Sequence, residues 1–186
     1  PTLDEIIKHK RREVAESRQS MPLEAIRERV ADVPLARNFF GAVANGRGPG
    51  GINVIAEVKA KSPSAGTLRD PYDPASIALQ YENAGAVAIS CLTDATYFGG
   101  SPEHLEAVRK AVSLPILRKD FIIDPYQVFE ARAAGADAIL LILAALGDEE
   151  AGPLAAAAAQ LGMDVLWEVH NMEEMLSLIH ISEPTR

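Results

Sequence analysis

The hydrophobic positions of the chain follow two patterns that change near residue 53. In the first segment, apolar residues recur at the spacing of one helical face. Thr2 and Glu5 have the spacing of a capping box, which predicts a helix start because each side chain satisfies a free backbone amide. The apolar stripe of this helix comprises Leu3, Ile6, Ile7, Val14 and the aliphatic stem of Lys10. A second predicted helix begins at Pro22, with Leu23, Ile26 and Val30 as its apolar stripe.

From residue 53 onward, short apolar runs alternate with helical segments. The predicted strands are Asn53–Lys59, Ala86–Leu92, Pro115–Lys119, Ala138–Leu143 and Asp164–Val169. The predicted helices between them are Pro74–Ala84, Pro102–Val112, Pro125–Ala134 and Asp148–Leu161. The strands are apolar along their length, which is typical of a parallel sheet covered on both faces. Residues 84–89 and 134–139 share an Ala-Gly-Ala pattern in which glycine ends a helix and a strand follows at once. Repeated βα units of this kind indicate a barrel or a doubly wound sheet.

The glycine-rich loop at residues 46–51 contains a G-x-G-x-x-G string. A dinucleotide-binding fingerprint follows a strand and opens a helix, whereas this loop precedes the first predicted strand. We therefore interpret it as a connector and not as a nucleotide site.

Composition narrows the class of protein. A chain of 186 residues with 48% hydrophobic content suits one domain with a substantial core. The net charge of −8 argues against a nucleic-acid partner, because phosphate binding needs a basic face. The one cysteine, Cys91, lies in an apolar run and is expected to be a buried, inert thiol. No run reaches the roughly 18 apolar residues of a membrane span, and no signal-peptide pattern opens the chain. We expect no membrane association and a cytoplasmic location.

Four ionisable residues stand at the carboxyl ends of predicted buried strands, where an apolar residue would be expected. They are Glu57, Lys59, Lys119 and Glu168. A single buried Lys–Glu pair is as often structural as functional. Four charges from three strands, all at the edge where barrels and open α/β sheets place their sites, favour a functional site.

The loops that follow these strands add further candidates. Lys61 lies in the polar loop after the first strand and would help to attract an anionic substrate, although an incidental surface lysine remains the alternative. Phe98 follows the second strand and Phe121 the third. Two aromatic residues at one edge could enclose a planar ring, and the alternative is that each fills a local gap in the core.

Several of these segments resemble the indole-3-glycerol phosphate synthase family. The most specific is residues 54–64, with the sequence VIAEVKAKSPS; residues 93–101, 114–122 and 166–170 are similar to later strand ends of the family. The N-terminal segment, including residues 34–39, is also typical of it. The resemblance extends from about residue 3 to residue 174 and implies a (β/α)8 TIM barrel with an N-terminal helical extension.

The resemblance also implies a reaction and a set of roles. The family closes a pyrrole ring on an anionic, phosphorylated aminodeoxyribulose derivative of anthranilate and releases CO₂ and water, with no cofactor and no metal. It implies that Lys119 is the general acid and Glu168 the base. Lys59 would hold the substrate carboxylate or phosphate and act as a second acid, with Glu57 orienting it. Ser62, Lys61, Phe98 and Phe121 would line the substrate pocket.

The chain departs from the family pattern after its fifth βα unit. A (β/α)8 barrel needs eight strands and about 250 residues. We therefore expect an extension at 1–50, a partial barrel at 51–175 cut off after the fifth strand, and a non-family, artefactual tail at 176–186. Without the later strands and their phosphate-binding glycines, we expect these residues alone to fold poorly and to be inactive. The parent protein is expected to be monomeric or fused to another enzyme of tryptophan biosynthesis.

Two alternatives stand beside this interpretation. One is another phosphate-binding barrel, such as phosphoribosylanthranilate isomerase, although that family lacks both the N-terminal extension and the Glu-x-Lys-x-Lys-Ser-Pro-Ser run. The other is a non-catalytic partial barrel that is stable only when paired with another chain, because an incomplete parallel sheet leaves two open edges.

Overall fold

A computed structural model describes residues 1–46 and 48–182 of the chain. Its main sheet is parallel, and helices precede the first strand of that sheet. Three helices come first: α1 (Leu3–Ser20), α2 (Leu23–Ala31) and α3 (Phe39–Asn45). The strands are β1 (Ile55–Val58), β2 (Lys61–Ser62), β3 (Gly66–Thr67), β4 (Ala88–Leu92), β5 (Ile116–Lys119), β6 (Ala138–Ile142) and β7 (Asp164–Glu168). Five of them form the sheet in the order β1-β4-β5-β6-β7, and β2 and β3 form a short antiparallel hairpin.

Four helices cross over between strands of the sheet: α4 (Pro74–Asn83), α6 (Pro102–Ala111), α7 (Pro125–Ala133) and α8 (Asp148–Gln160). The single-turn helix α5 (Ala95–Phe98) lies between β4 and α6, and α9 (Met172–Ser182) follows β7. The five predicted strands and the four predicted crossover helices are confirmed, with bounds that differ by two residues or fewer. The sequence did not predict α3, α5, α9 or the β2–β3 hairpin.

The domain boundaries remain predictions. Helix α9 continues through the boundary expected at residue 175, and residues 183–186 of the expected tail lie outside the described residues, as does Arg47 of the glycine-rich loop.

Three crossover helices start in the same way. Asp73, Ser101 and Asp124 each accept a backbone hydrogen bond as the capping residue, and proline follows at the first helical position. Proline suits this position because its fixed φ is helical and its missing N–H would be unpaired there. After α4 and α7 the chain passes through Gly85 and Gly135, whose φ angles of 91° and 95° favour glycine. The helix boundaries are therefore encoded locally.

The two faces of the sheet have different roles. The outer face packs against the helices through residues such as Val58, Ile89, Ile116, Ile139 and Leu141, all fully buried. The inner face carries a smaller apolar cluster formed by Ala88, Leu117, Ala138 and Leu140. Phe39 of α3 packs against this cluster. Because side chains alternate along a strand, the charged strand ends stand on this inner face, above its apolar layer.

Buried polar contacts fix the N-terminal segment against the sheet. Asp137, which is fully buried, accepts hydrogen bonds from the backbone amide of Arg37 at 2.7 Å and from the Arg109 guanidinium at 2.8 Å. Apolar contacts add to this attachment, because Val14 of α1 and Ile26 of α2 pack around Tyr126 of α7. The helices before β1 are thus attached to the crossover layer at several points.

No helix within residues 1–46 and 48–182 is long and apolar enough to cross a membrane.

Candidate active site

The inner face of the sheet brings the predicted charges to one edge. In the parallel register, Lys119 of β5 lies beside Leu92 of β4, and Glu168 of β7 lies beside Ile142 of β6. Glu57 belongs to the same face of β1, and Lys59 follows the last residue of that strand. The structure thus places Glu57, Lys119 and Glu168 at the carboxyl ends of their strands, and Lys59 directly after β1.

Glu57 joins the two candidate lysines. Its carboxylate accepts hydrogen bonds from the Nζ atom of Lys59 at 2.5 Å and from the Nζ atom of Lys119 at 2.7 Å, one on each oxygen. All three side chains are partly exposed, so the ion pairs are only partly shielded from water. Burial alone would raise the pKa of Glu57, but the hydrogen bonds from Lys119 and Lys59 outweigh it and hold the pKa below its ordinary value.

A cavity of about 200 Å³ opens beside this cluster. It contains one of the two lysines, Lys119, together with Glu168 and both predicted aromatic residues, Phe98 and Phe121. The remaining lining residues are Leu92, Asp94, Asp120, Leu140 and Ile142. An ammonium group, a carboxylate and two aromatic rings therefore line the same space, and such groups suit a planar aromatic ligand and proton transfer.

Phe98 was predicted in a loop, and this was wrong. It ends the single-turn helix α5, which Asp94 caps by accepting a hydrogen bond from the amide of Tyr97 at 2.7 Å. The aspartate and the left-handed Gly99 are the local signals of this turn. The ring is thus held by a defined element.

Lys61 and Ser62 lie on the β2–β3 hairpin and do not line this cavity. The Ser62 hydroxyl accepts a hydrogen bond from the amide of Ala65 at 3.1 Å, within its own turn. The Lys61 stem packs against Gly99, where an added Cβ would approach it to 3.1 Å. The hairpin therefore contacts the α5 turn, and a role for Lys61 and Ser62 in binding stays a prediction.

Glu168 has a neighbour that sequence reasoning did not single out. The Nε2 atom of His170 lies 3.2 Å from a carboxylate oxygen of Glu168, and its Nδ1 atom lies 3.7 Å from Glu174. The spacing of two residues at a strand end was the available signal, because it places both side chains on one side of the chain.

Four buried charges at the cavity and beneath it were also missed. Lys10, Asp94, Arg118 and Asp120 are each at most 3% exposed. We expected only the stem of Lys10 to be buried, and this was wrong: its ammonium group is buried too, 3.0 Å from Asp94 and 2.9 Å from Asp120. Arg118 lies within the buried strand β5 and Asp120 directly follows it. Both are charged residues where an apolar one is expected, so the reasoning that identified Lys119 could have identified them as well.

These charges compensate one another. Burial alone would raise the pKa of Asp120, but Arg118, Lys10 and a hydrogen bond from Thr93 lower it to about 2. Burial alone would lower the pKa of Lys10, but Asp120, Asp94 and Glu13 outweigh it and raise it. Each shift favours the charged form, so the ion pair between Lys10 and Asp120 is present at neutral pH. Nearby, Cys91 is fully buried, as expected, and burial raises the pKa of its thiol to about 12.

Comparison with known proteins defines the chain as an α/β protein of a known enzyme family. The family model for indole-3-glycerol phosphate synthase matches residues 3–184. Among curated proteins, the indole-3-glycerol phosphate synthases of Aromatoleum aromaticum and Dechloromonas aromatica are each 48% identical over 182 residues, 98% of this chain and 70% of theirs. The enzyme of that name from Neisseria meningitidis serogroup C is 48% identical over 185 residues. The chain belongs to the indole-3-glycerol phosphate synthase family, and the isomerase alternative is not favoured.

Solved structures resemble the backbone more distantly. A mandelate oxidase bound to (S)-2-phenylpropionate has a TM-score of 0.53 and 20% identity, over 76% of this chain and 56% of the other. A second mandelate oxidase structure, with 3,3-difluoro-2-hydroxy-3-phenylpropionic acid, gives the same values. At this identity the likeness concerns the fold alone.

Proposed function

We propose that the chain carries the catalytic groups of an indole-3-glycerol phosphate synthase, a carbon–carbon lyase of tryptophan biosynthesis. The observation that supports this most directly is the single carboxylate of Glu57 bound to both Lys59 and Lys119, beside a cavity that also holds Glu168. The substrate class is a small phosphorylated ketose carrying a carboxyphenylamino group. The family also implies a (β/α)8 barrel with an N-terminal extension, acting in the cytoplasm without a resident cofactor.

The first step is carbon–carbon bond formation. Lys119 donates a proton to the ketone oxygen as the ring carbon that bears the carboxylate attacks the ketone carbon. The carboxylate then leaves as CO₂, and the electrons of the broken bond restore the aromatic ring. Lys119 lines the cavity, and Glu57 at 2.7 Å holds its Nζ atom at the edge of that cavity.

The second step is dehydration. The hydroxyl on the former ketone carbon leaves as water after it receives a proton from Lys59. Glu168 accepts the proton that leaves the neighbouring ring carbon, and the double bond of the pyrrole ring forms between these two carbons. Two protons are donated and one is accepted, so the lysines are restored by the proton on Glu168 and by one proton from water. Glu57 can pass a proton from one lysine to the other, because each of its oxygens faces one ammonium group.

Binding follows from the shape and charge of the same region. Phe98 and Phe121 line the cavity and would enclose the aromatic ring of the substrate. Lys59 would face the substrate carboxylate, and Lys61 on the hairpin would add to the positive field at the mouth of the site. In a chain with a net charge of −8, such local cations favour an anionic ligand there.

The test measures formation of indole-3-glycerol phosphate, which is monitored through the fluorescence of its indole ring. It is carried out with the chain and with a joined protein, in which the chain is followed by the part of the Aromatoleum aromaticum relative that lies beyond the matched region. We expect the joined protein to convert the carboxyphenylamino substrate and to leave phosphoribosylanthranilate unchanged. Turnover of the latter alone would contradict the proposal.

A further inference from the structure

The N-terminal helix α1 reaches the floor of the candidate site through one buried side chain. Lys10 is fully buried, and its Nζ atom lies 3.0 Å from Asp94, 2.9 Å from Asp120 and 2.9 Å from Glu13. Asp94 follows β4 and Asp120 follows β5, so one ammonium group connects two neighbouring loops at the carboxyl edge of the sheet.

Each of the two aspartates also holds one of the aromatic residues of the cavity. Asp94 caps helix α5, which ends at Phe98. Asp120 accepts a hydrogen bond from the backbone amide of Phe121 at 2.8 Å and directly follows Lys119. The oxygens of Asp94 and Asp120 that face Lys10 therefore belong to groups that fix the backbone of the site.

A second contact supports the same connection. The Nε2 atom of His9, the residue before Lys10, lies 2.8 Å from the Thr96 hydroxyl, and its ring meets the Tyr97 ring edge-on at 5.9 Å. Helix α1 is thus seated on the α5 turn from two adjacent positions.

From this geometry we infer that Lys10 is a positioning residue, which sets the separation of Phe98 and Phe121 and the placement of Lys119 by pairing with Asp94 and Asp120. The inference rests on the proposed function of the site. Without the ammonium group, two carboxylates would face each other in a water-poor environment and would move apart or take up a proton. Either response shifts the α5 turn and the segment after β5.

Charge balance supplies a specific rescue. In Lys10→Met combined with Asp94→Asn, one positive and one negative charge are removed together, and Asp120 keeps its contacts with Arg118 and Thr93. Asparagine caps helices about as well as aspartate, so α5 keeps its start. Lys8→Met is the matched control, because Lys8 is an exposed residue of the same helix.

The test uses fluorine NMR of the joined protein labelled with 4-fluorophenylalanine. The five phenylalanines of the chain are Phe39, Phe40, Phe98, Phe121 and Phe129. Phe129 packs against the cluster of Val14, Ile26 and Tyr126, so a change in its resonance would indicate that α1 has detached. Phe39 belongs to the inner apolar cluster of the sheet, and its resonance reports changes there. We expect Lys10→Met to move the Phe98 and Phe121 resonances only, and we expect the added Asp94→Asn to restore them.

The kinetic arm uses the joined protein. Since a misplacement of about 1 Å can cost about a hundredfold in rate, we expect Lys10→Met to lower kcat/KM by about 10- to 100-fold. Adding Asp94→Asn to Lys10→Met should restore most of the lost kcat/KM, and Lys8→Met alone should leave kcat/KM unchanged. Unmoved Phe98 and Phe121 resonances, or equal movement of Phe129 without rescue, would overturn the positioning role. If the unsubstituted joined protein makes no product, the proposed function fails, and the NMR arm, which needs no turnover, still decides the role of Lys10.

Discussion

Lys119 reaches Glu57 across an intervening strand. The Nζ–Oε2 distance is 2.7 Å, although β4 lies between β5 and β1 and separates their backbones by about 10 Å, twice the usual strand spacing. Contact over that span requires both side chains to lean over β4 on the inner face. Glu57 therefore acts as the common acceptor for cations from two strand ends, and replacing Lys119 or Lys59 alters the other through it.

The first prediction concerns Lys119. In the joined protein, Lys119→Met should lower kcat by about 10²- to 10⁴-fold, the usual contribution of a positioned acid, while substrate affinity changes by less than about tenfold. Steady-state turnover and equilibrium titration with substrate separate the two effects. Lys110→Met, at an exposed position on α6, is the matched control and should retain full activity. If more than a tenth of the activity persisted, Lys119 would not be the acid.

The second prediction concerns Glu168. Glu168→Gln keeps the size of the side chain and its hydrogen-bonding capacity but removes the base, so kcat should fall with little change in affinity. Glu174→Gln, which alters the other carboxylate beside His170, should leave kcat within about twofold of the original, because Glu174 does not line the cavity. A rise in KM alone for Glu168→Gln would make that residue a binding group.

The third prediction concerns binding by Lys59. If Lys59 contacts an anionic group of the substrate, Lys59→Ala should weaken binding at low ionic strength. The difference from the original protein should shrink near 1 M salt, where the Debye length is about 3 Å. Isothermal titration at two salt concentrations measures it. Equal affinities at low salt would assign Lys59 to catalysis alone.

The fourth prediction concerns acid stability. The pKa of Asp120 is lowered from 3.8 to about 2 in the folded protein, so its ion pairs contribute stability that is fully present above the ordinary pKa and is lost as pH falls through about 2. Asp120→Asn should therefore lower the free energy of unfolding at pH 7. It should also make the decrease of that free energy between pH 4 and pH 2 smaller than in the original protein. Urea unfolding midpoints of the joined protein at pH 7 and pH 3 test this. An unchanged difference between the two midpoints would exclude Asp120 as a source of the acid sensitivity.

The fifth prediction concerns the two outer strands of the described sheet. β1 and β7 each have one strand neighbour, and α9 exposes Met172, Met175, Leu176 and Ile179. An open parallel edge beside apolar surface attracts other apolar surfaces. The chain alone should bind a hydrophobic dye strongly and show no turnover, whereas the joined protein should bind the dye weakly. Equal dye binding by both proteins would show that these surfaces are covered in some other way.

Periodicity and local capping signals account for what the sequence could predict. Glu57, Lys119 and Glu168 were recognised because a charge in a buried strand breaks the apolar pattern, and a period of two placed Glu57 with Lys59. The burial of Lys10 could not be predicted in this way. Its position on an amphipathic helix suggests a partly exposed lysine, and its partners Asp94 and Asp120 lie far along the chain. Such contacts depend on how α1 is seated on the sheet, which no local pattern encodes.

The repeated capping residue–proline start divides three of the βα units into a constant part and a replaceable one. The segments between the strand ends and Pro74, Pro102 and Pro125 carry Lys59, Phe98 and Phe121, while Glu57 and Lys119 lie on the strands themselves and the helices that follow begin at fixed points. An insertion in one of these segments would change the reach of its side chains without displacing the helix behind it. The fold can thus acquire a new specificity by exchanging short interchangeable stretches, provided that the stretch after β5 keeps Asp120 as a partner for Lys10.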